Sequence, residues 1–149
     1  ADLDNFNAHN DDYGCANGDK VILFTSSLLQ DVMKEFAITE GFTGHIGGDD
    51  FVLIIEKSKA LDFAGRLIER FDQGIKEYYN DEDRANGYIV SINRKGEETN
   101  FPFVSISIAG VDLSQRDYSN YLQVSDICVE LKHKAKQTAG SCLVIDQRL

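Results

Sequence analysis

Apolar residues recur about every 3.6 positions along three stretches of the chain, and this spacing predicts three amphipathic helices. The stretches cover residues 19–36, 59–79 and 121–137. Asp19 stands at the start of the first stretch, where a carboxylate can accept hydrogen bonds from the first backbone N–H groups of a helix. Asp19 is therefore predicted to cap this helix.

Shorter apolar runs separate the helices and predict β-strands. The predicted strands are residues 42–46, 51–56, 88–93, 101–109 and 142–146. Gly47-Gly48-Asp49-Asp50 lies between the first two strands and has the residue types of a hairpin turn. The polar segments 1–10 and 80–87 are predicted as a strand end that runs into a loop and as a solvated loop. Because helices alternate with strands and hairpins, the pattern predicts an α/β or α+β sandwich around one central sheet.

Composition restricts the class of protein. With 149 residues, of which 42% are hydrophobic, the chain fits a single domain with a packed core. Its formal net charge of −10 argues against nonspecific nucleic-acid binding and against direct contact with an anionic membrane, since both need a basic face. No apolar run approaches the roughly 18 residues that a membrane helix needs, and no signal peptide pattern is present. The three cysteines form no CxxC or Cys/His motif, which favours a reduced, cytoplasmic protein.

Two groups of carboxylates stand out: Asp2-Leu3-Asp4 at a strand end and Asp49-Asp50 in the hairpin turn. Such carboxylates suit Mg²⁺, which in proteins typically takes one or two carboxylates together with substrate phosphates. In so acidic a chain, an anionic substrate needs a metal ion or local cations to offset the field. Ordinary surface chemistry is the alternative, because short DxD segments are common on surfaces and Gly-Gly-Asp-Asp also forms plain hairpin turns. From these groups alone, both explanations stay open.

A larger pattern joins the two groups. Its residues are Asp2-Leu3-Asp4-Asn5-Phe6, Asn10-Asp11, Tyr13-Gly14, Gly18-Asp19, Gly47-Gly48-Asp49-Asp50-Phe51, Ser105-Ile106-Ser107-Ile108-Ala109 and Ala135-Lys136. In order and spacing these residues resemble the GGDEF domain family over nearly the whole chain. The resemblance implies one domain over residues 1–149 with a nucleotidyl-cyclase-like α+β fold. In that fold a central, mostly antiparallel sheet is flanked by helices, and a β-hairpin carries the signature turn.

The family consists of diguanylate cyclases, so the resemblance also implies a reaction. Two GTP molecules, each held by one domain of a homodimer, condense into cyclic di-GMP and pyrophosphate. Mg²⁺ or Mn²⁺ would be bound by the carboxylates of Asp2 and Asp49 and by the backbone carbonyl of Leu3, and Asp49 and Asp50 would be the catalytic residues. The resemblance also implies the substrate-binding residues. The backbone N–H groups of Asn5 and Phe6 would bind the phosphates, the side chains of Asn10 and Asp19 would bind guanine, and Lys136 would bind a phosphate.

Three of these residues also have plain structural explanations. Asp19 can be a helix N-cap, as noted above. Asn10 can stabilise a turn, and Lys136 can be a solvated lysine on a helix. The position of Asp49 in the hairpin turn is the hardest of the set to explain without a ligand.

The chain departs from the family pattern mainly around the phosphates. Asn7 stands where the family has Lys, His45 where it has Arg, Asp50 where it has Glu, and Ser141 where it has a basic residue. Because a charge-assisted hydrogen bond is worth about 1.5–3 kcal/mol, these losses predict weaker GTP binding unless another lysine compensates. The candidates are Lys20, Lys132 and Lys134. Two hypotheses follow: an active but slow diguanylate cyclase domain, or a degenerate domain that binds GTP or dimerises and has a regulatory role.

Three further differences concern neighbouring segments. Residues 38–41 lack the family's RxxD product-inhibition motif, and residues 88–103 are predicted as an added hairpin. The family has a helix and most of a central strand before the position of Asp2, so we expect this chain to be weakened or to borrow a strand from a neighbouring copy. Family members also commonly follow sensory or receiver domains, and we expect such a domain upstream.

Overall fold

The computed structural model describes residues 1–148, whose strands form a five-stranded sheet and a separate two-stranded sheet. The strands are β1 (Asp2–Asp4), β2 (Phe42–Gly47), β3 (Asp50–Ile54), β4 (Ile89–Ile92), β5 (Glu98–Phe101), β6 (Ser105–Gly110) and β7 (Cys142–Ile145). The helices are α1 (Phe6–Tyr13), α2 (Cys15–Glu35), α3 (Lys57–Gly74), α4 (Asp81–Asn86) and α5 (Tyr121–Ala135). A 3₁₀ turn, Ile75–Tyr78, follows α3 directly.

The five-stranded sheet has the strand order β2-β3-β1-β6-β7. All of its pairs are antiparallel except β6 with β7. The short strand β1 is therefore central, with Asp2 opposite Asp50 on one side and opposite Ser107 on the other. The prediction of a mostly antiparallel central sheet flanked by helices is confirmed.

Helices contact the sheet at β6, whose first four residues are all buried. Because side chains alternate along a strand, Ile106 and Ile108 lie on one face, in the main core, and the two serines lie on the other. The stripe on α3 consists of Phe63, Ala64, Leu67 and Phe71, which are buried at helical spacing. Residues on α5 at the same spacing, Ile127, Leu131 and Ala135, are also buried. The sheet thus holds β1 fixed between its neighbours.

Two segments predicted as loops are helical. Residues 6–13 form α1, a polar helix in which only Phe6, Ala8 and His9 are buried. A helix of eight residues with so few apolar positions has no periodic stripe from which it could be recognised. Residues 81–86 form α4, where Asn80 acts as the N-cap by accepting a 2.8 Å hydrogen bond from the N–H of Asp83.

The prediction that Asp19 caps a helix is wrong. Helix α2 begins at Cys15, four positions earlier, so Asp19 lies in its second turn and is exposed. The break between α1 and α2 falls at Gly14, whose φ of 85° is favourable for glycine and strained for other residues. The helix therefore starts at a backbone feature rather than at a side-chain cap.

The pair β4 and β5 forms the hairpin that residues 88–103 predict, outside the main sheet. An aromatic cluster joins it to α1. The ring of Tyr79 stacks on Phe103 with centroids 4.1 Å apart and meets the rings of His9 and Tyr13 edge-on. The Tyr79 hydroxyl accepts a 2.8 Å hydrogen bond from the N–H of Val104 at the end of the hairpin. These contacts thus pack the added hairpin against α1, the helix that follows β1.

His9 in this cluster makes stability depend on pH. Its ring is fully buried, and Nε2 donates to the Tyr78 carbonyl at 3.2 Å. Burial lowers the pKa of His9, against the opposing effect of that hydrogen bond, so the folded protein resists protonation. The unfolded chain takes up the proton below about pH 6.5. The free energy of unfolding should therefore be highest above that pH and should decrease as the pH drops towards the folded-state pKa of His9.

Urea denaturation at pH 7.5 and pH 5.5 measures this loss. His9→Phe keeps an aromatic ring beside Tyr13 and removes the titrating group, so its free energy of unfolding should change less between the two pH values. The control is His133→Gln, because His133 is exposed on α5 and its replacement should leave the wild-type loss in place. An equal pH dependence in wild type and His9→Phe would contradict this role.

Candidate active site

Three carboxylates converge at one end of the central strands. The ligand atoms of Asp2, Asp49 and Asp50 lie within 4.8 Å of one another. Asp2 comes from β1, Asp49 from the turn after β2, and Asp50 from the first position of β3. The pairing of Asp2 with Asp50 explains why residues nearly 50 positions apart meet. An oxygen-rich cluster of this kind suits a hard divalent cation such as Mg²⁺ or Mn²⁺.

The turn that carries Asp49 is fixed from both sides. Gly47 and Gly48 have φ values of 138° and 56°, a region that favours glycine, so the turn chemistry predicted from the sequence is confirmed. His45 Nε2 donates a 2.8 Å hydrogen bond to the Gly48 carbonyl. The N–H of Leu3 donates to the carbonyl of Asp49 at 3.2 Å, and the Leu3 side chain is buried in the core. Leu3 thereby ties the turn to β1.

Lys132 of α5 and Lys136, which directly follows that helix, point into the cluster. Lys132 Nζ lies 2.5 Å from Asp50 Oδ1 and 3.4 Å from Asp2 Oδ2. Lys136 Nζ bonds to Asp2 Oδ1 and lies 3.0 Å from Asp4 Oδ1. The spacing of four residues places both lysines on one face of the helix. Lys136, predicted as a phosphate cation, is thus beside the cluster, and Lys132 is the compensating candidate that reaches it.

The electrostatics differ between the two carboxylates of the turn. Burial, together with the negative charge of Asp2, raises the pKa of Asp49. Burial is the largest influence on Asp50 and opposes its ionisation, but the hydrogen bonds with Lys132 and Asp2, together with the positive charges of Lys132 and the amino terminus, outweigh it and lower the pKa of Asp50. The charge of Asp49 is therefore offset less directly than that of Asp50, which has a hydrogen bond from Lys132. A divalent cation would relieve this repulsion.

Asp4 lies outside the three-carboxylate cluster although the sequence groups it with Asp2. Its Oδ2 accepts hydrogen bonds from Ser107 Oγ at 2.6 Å and from Ser105 Oγ at 3.0 Å. The sequence predicts no role for these serines. Their alternation with Ile106 predicts only that both lie on one face of a strand. Asp4 is thus held by the fold as an anchor for Lys136.

The start of α1 follows β1 directly and offers unpaired backbone donors. Asn5 precedes the helix with φ of 61°, a left-handed conformation that asparagine tolerates better than most residues. The first N–H groups of a helix have no partner within it and favour anions, phosphates among them. Asn5 and Phe6 therefore occupy the positions expected for phosphate contacts, while the Phe6 ring is buried below.

Asn10 lies against Gly18, the residue before Asp19, across the break between α1 and α2. The carboxamide of Asn10 lies against Gly18, because a Cβ built at position 18 would be 1.8 Å from Asn10 Oδ1. That oxygen is buried and has no hydrogen-bond partner within residues 1–148. Asp19 is the next residue after Gly18 and is exposed. The break thus places the amide of Asn10 against the residue next to Asp19, and an amide and a carboxylate are group types that match guanine donors and acceptors.

Comparison with known proteins identifies the family. The family profile described as "Diguanylate cyclase, GGDEF domain" matches residues 1–139. The chain belongs to the GGDEF domain family. A diguanylate cyclase of Vibrio cholerae serotype O1 is 32% identical over 77 residues, which cover 52% of this chain and 22% of that relative. The match therefore spans less than a quarter of the relative's length.

Cyclases of the GGDEF family generally use a divalent metal. The cluster of Asp2, Asp49 and Asp50 fits such a metal in ligand type and spacing. Over residues 1–148, no helix combines the length and the apolar character that crossing a membrane requires.

Two positions where this GGDEF domain lacks a family cation serve the fold instead. Ser141 Oγ donates to Asp72 Oδ1 at 2.6 Å and accepts a 2.9 Å hydrogen bond from the N–H of Ile106. His45 braces the signature turn and stacks on Phe51 with ring centroids 4.8 Å apart. Both side chains are therefore engaged in contacts within the fold.

Proposed function

We propose that this GGDEF domain is a diguanylate cyclase domain that condenses two GTP molecules into cyclic di-GMP. The observation that carries the proposal is the convergence of Asp2, Asp49 and Asp50 where β1 pairs with β3. Because β1 is only three residues long and α1 begins two residues after it, the carboxylates and the first N–H groups of α1 are close along the chain. The match of the family profile to residues 1–139 supports the same reading.

Each residue group has a defined task in this proposal. Asp2 and Asp49, with the backbone carbonyl of Leu3, would hold Mg²⁺ or Mn²⁺, which when bound neutralises phosphate charge. The N–H groups of Asn5 and Phe6 would bind the phosphates at the start of α1. The remaining assignments are Asn10 and Asp19 for guanine, Lys136 for a phosphate, and Asp50 for catalysis with Asp49.

The reaction is phosphoryl-type transfer between two bound nucleotides. The 3′-hydroxyl oxygen of each GTP forms a bond to the α-phosphorus of the other. The bond from that phosphorus to the oxygen bridging to the β-phosphate breaks, and one pyrophosphate and one proton leave for each bond formed. Because positioning contributes much of the rate in such reactions, the two sites must face each other closely. A homodimer is therefore required, and an upstream sensory or receiver domain would control its formation in the cytoplasm.

A second candidate function is a regulatory module that binds GTP or dimerises without making product. The specific observation in its favour is that His45 and Ser141 are engaged in structural hydrogen bonds, at positions where the family has cations. Asp50, one methylene shorter than Glu, is in addition bonded to Lys132. Strict geometry at the reacting centre makes such a change costly.

The experiment that separates the two functions uses the full-length protein with GTP and Mg²⁺ or Mn²⁺. Products are analysed by chromatography with mass detection, and GTP binding is measured in parallel by calorimetry. Cyclic di-GMP in the reaction mixture supports the cyclase. Bound GTP without product supports the regulatory module, and absence of both overturns the cyclase and the GTP-binding module and leaves a module that acts by dimerisation alone.

A further inference from the structure

The two lysines at the cluster differ in what holds them. Lys136 bonds to Asp2 but also to Asp4, which is fixed by two serines and is not one of the three clustered carboxylates. Lys132 contacts Asp50 and Asp2, both of which belong to the cluster. Among the ion pairs of residues 1–148, Lys132 thus has no partner outside the cluster.

A divalent cation and Lys132 compete for the same oxygens. The ammonium lies 2.5 Å from Asp50 Oδ1 and 3.4 Å from Asp2 Oδ2. Mg²⁺ binds oxygen at about 2.0–2.1 Å and needs near-octahedral geometry. A cation that is coordinated by Asp2 and the other carboxylates of the cluster therefore displaces Lys132, whereas Lys136 keeps its ion pair with Asp4.

The charge balance at the cluster favours binding of the displaced Lys132 ammonium to a phosphate. Asp2, Asp4, Asp49 and Asp50 bring four negative charges, and the two lysines offset two of them. One divalent cation completes the neutralisation. Any phosphate that arrives with the metal then adds negative charge beside α5. Lysine is a compact charge on a flexible four-carbon stem, so its ammonium can move from a carboxylate to a phosphate while the helix stays in place.

We propose that Lys132 is a displaceable counter-ion that leaves Asp50 and Asp2 when a divalent cation enters and then binds a phosphate of the nucleotide. This inference rests on the proposed function, because it needs a nucleotide at the site. It gives Lys132 a task that Asn7 and Ser141 do not perform, since Asn7 is neutral and exposed and Ser141 is bonded to Asp72. Lys132 is thus a substrate-binding residue as well as a competitor of the metal.

Lys132→Met should have opposite effects on two affinities, measured by calorimetry on the full-length protein. Without nucleotide, Mn²⁺ should bind about ten- to a hundredfold more tightly, because no ammonium competes for Asp2 and Asp50. With saturating Mn²⁺, a non-hydrolysable GTP analogue should bind about ten- to a hundredfold more weakly. Guanosine, which lacks phosphates, should bind as it does to wild type.

Two further variants serve as controls. Lys134→Met removes an exposed lysine of the same helix and should leave all three affinities unchanged. Lys132→Arg keeps the charge and should retain most of the affinity for the GTP analogue. Thermal unfolding of each variant establishes that the protein is folded.

The outcomes separate this inference from the proposed function. Tighter Mn²⁺ binding together with weaker binding of the analogue supports the exchange. Unchanged affinities in Lys132→Met overturn the exchange. Weaker binding of both Mn²⁺ and the analogue also overturns it, because that result indicates that Lys132 only supports the structure of the site. If wild type itself binds neither the analogue nor guanosine, the proposed function fails.

Discussion

Replacing Asp49 by Asn should reduce cyclic di-GMP formation by at least about a hundredfold, since even outer-shell partners of metal ligands cost about 10–100-fold when removed. Asparagine keeps the shape of the side chain but loses the charge that Asp49 contributes to the cluster. Burial and the charge of Asp2 raise the pKa of Asp49, so its ionisation costs more in the folded protein than in water. The free energy of unfolding should therefore stay the same or rise. Product formation, Mn²⁺ affinity and urea denaturation measure the three effects.

The matched control for this prediction is Asp31→Asn. Asp31 is an exposed carboxylate on α2, so the same chemical change there should leave product formation and metal affinity as in wild type. Full activity of Asp49→Asn would remove Asp49 from the metal site. A large loss of stability in that variant would instead assign the carboxylate a role in the fold.

Replacing Gly18 by Ala should weaken binding of GTP by at least about tenfold, a loss of roughly 1.4 kcal/mol. The added Cβ would lie 1.8 Å from Asn10 Oδ1, so the Asn10 carboxamide must turn away from its position against residue 18. The helix itself accepts the change, because alanine in a helix interior is favoured over glycine by about 0.8–1.0 kcal/mol. We expect weaker nucleotide binding in a protein that is no less stable. Calorimetry with GTP and urea denaturation test the two parts together.

Gly65→Ala is the matched control for Gly18→Ala. Gly65 lies within α3, and a Cβ added there meets no atom within 4 Å. It should give the gain in helix stability without the loss of GTP affinity. ATP binding provides a second comparison, because loss of guanine recognition should bring the affinities for GTP and ATP closer together. Undiminished GTP affinity in Gly18→Ala would rule out the proposed role of Asn10.

Local pattern sufficed to predict much of the fold. The alternation from Ser105 to Ala109 predicts a strand, and β6 occupies those residues. The hairpin turn at 47–50 follows from glycine chemistry that acts within four residues. By contrast, α1 was missed because it is short and polar, and the start of α2 was misplaced because Gly14 sets it through backbone conformation. Such breaks leave little trace in hydrophobic periodicity.

The site was harder to predict because it depends on distant contacts. Membership of the GGDEF family and the acidic cluster could be anticipated from spaced motifs. Which of Lys20, Lys132 and Lys134 reaches the cluster could not, because it depends on how α5 is rotated against β1 and β3. The structural use of Ser141 likewise depends on Asp72, which is 69 positions away in the chain.

The central position of β1 also has a consequence for the order of folding. Asp2 pairs with Ser107 in the sheet and bonds to Lys136, so the lysine that completes its surroundings is synthesised 134 residues later. Contacts between residues so far apart in the chain form slowly, because a long loop must close first. A nascent chain therefore exposes Asp2 and Asp50 before Lys132 and Lys136 have been synthesised. Acquisition of the nucleotide site should consequently be one of the last events in the maturation of this domain.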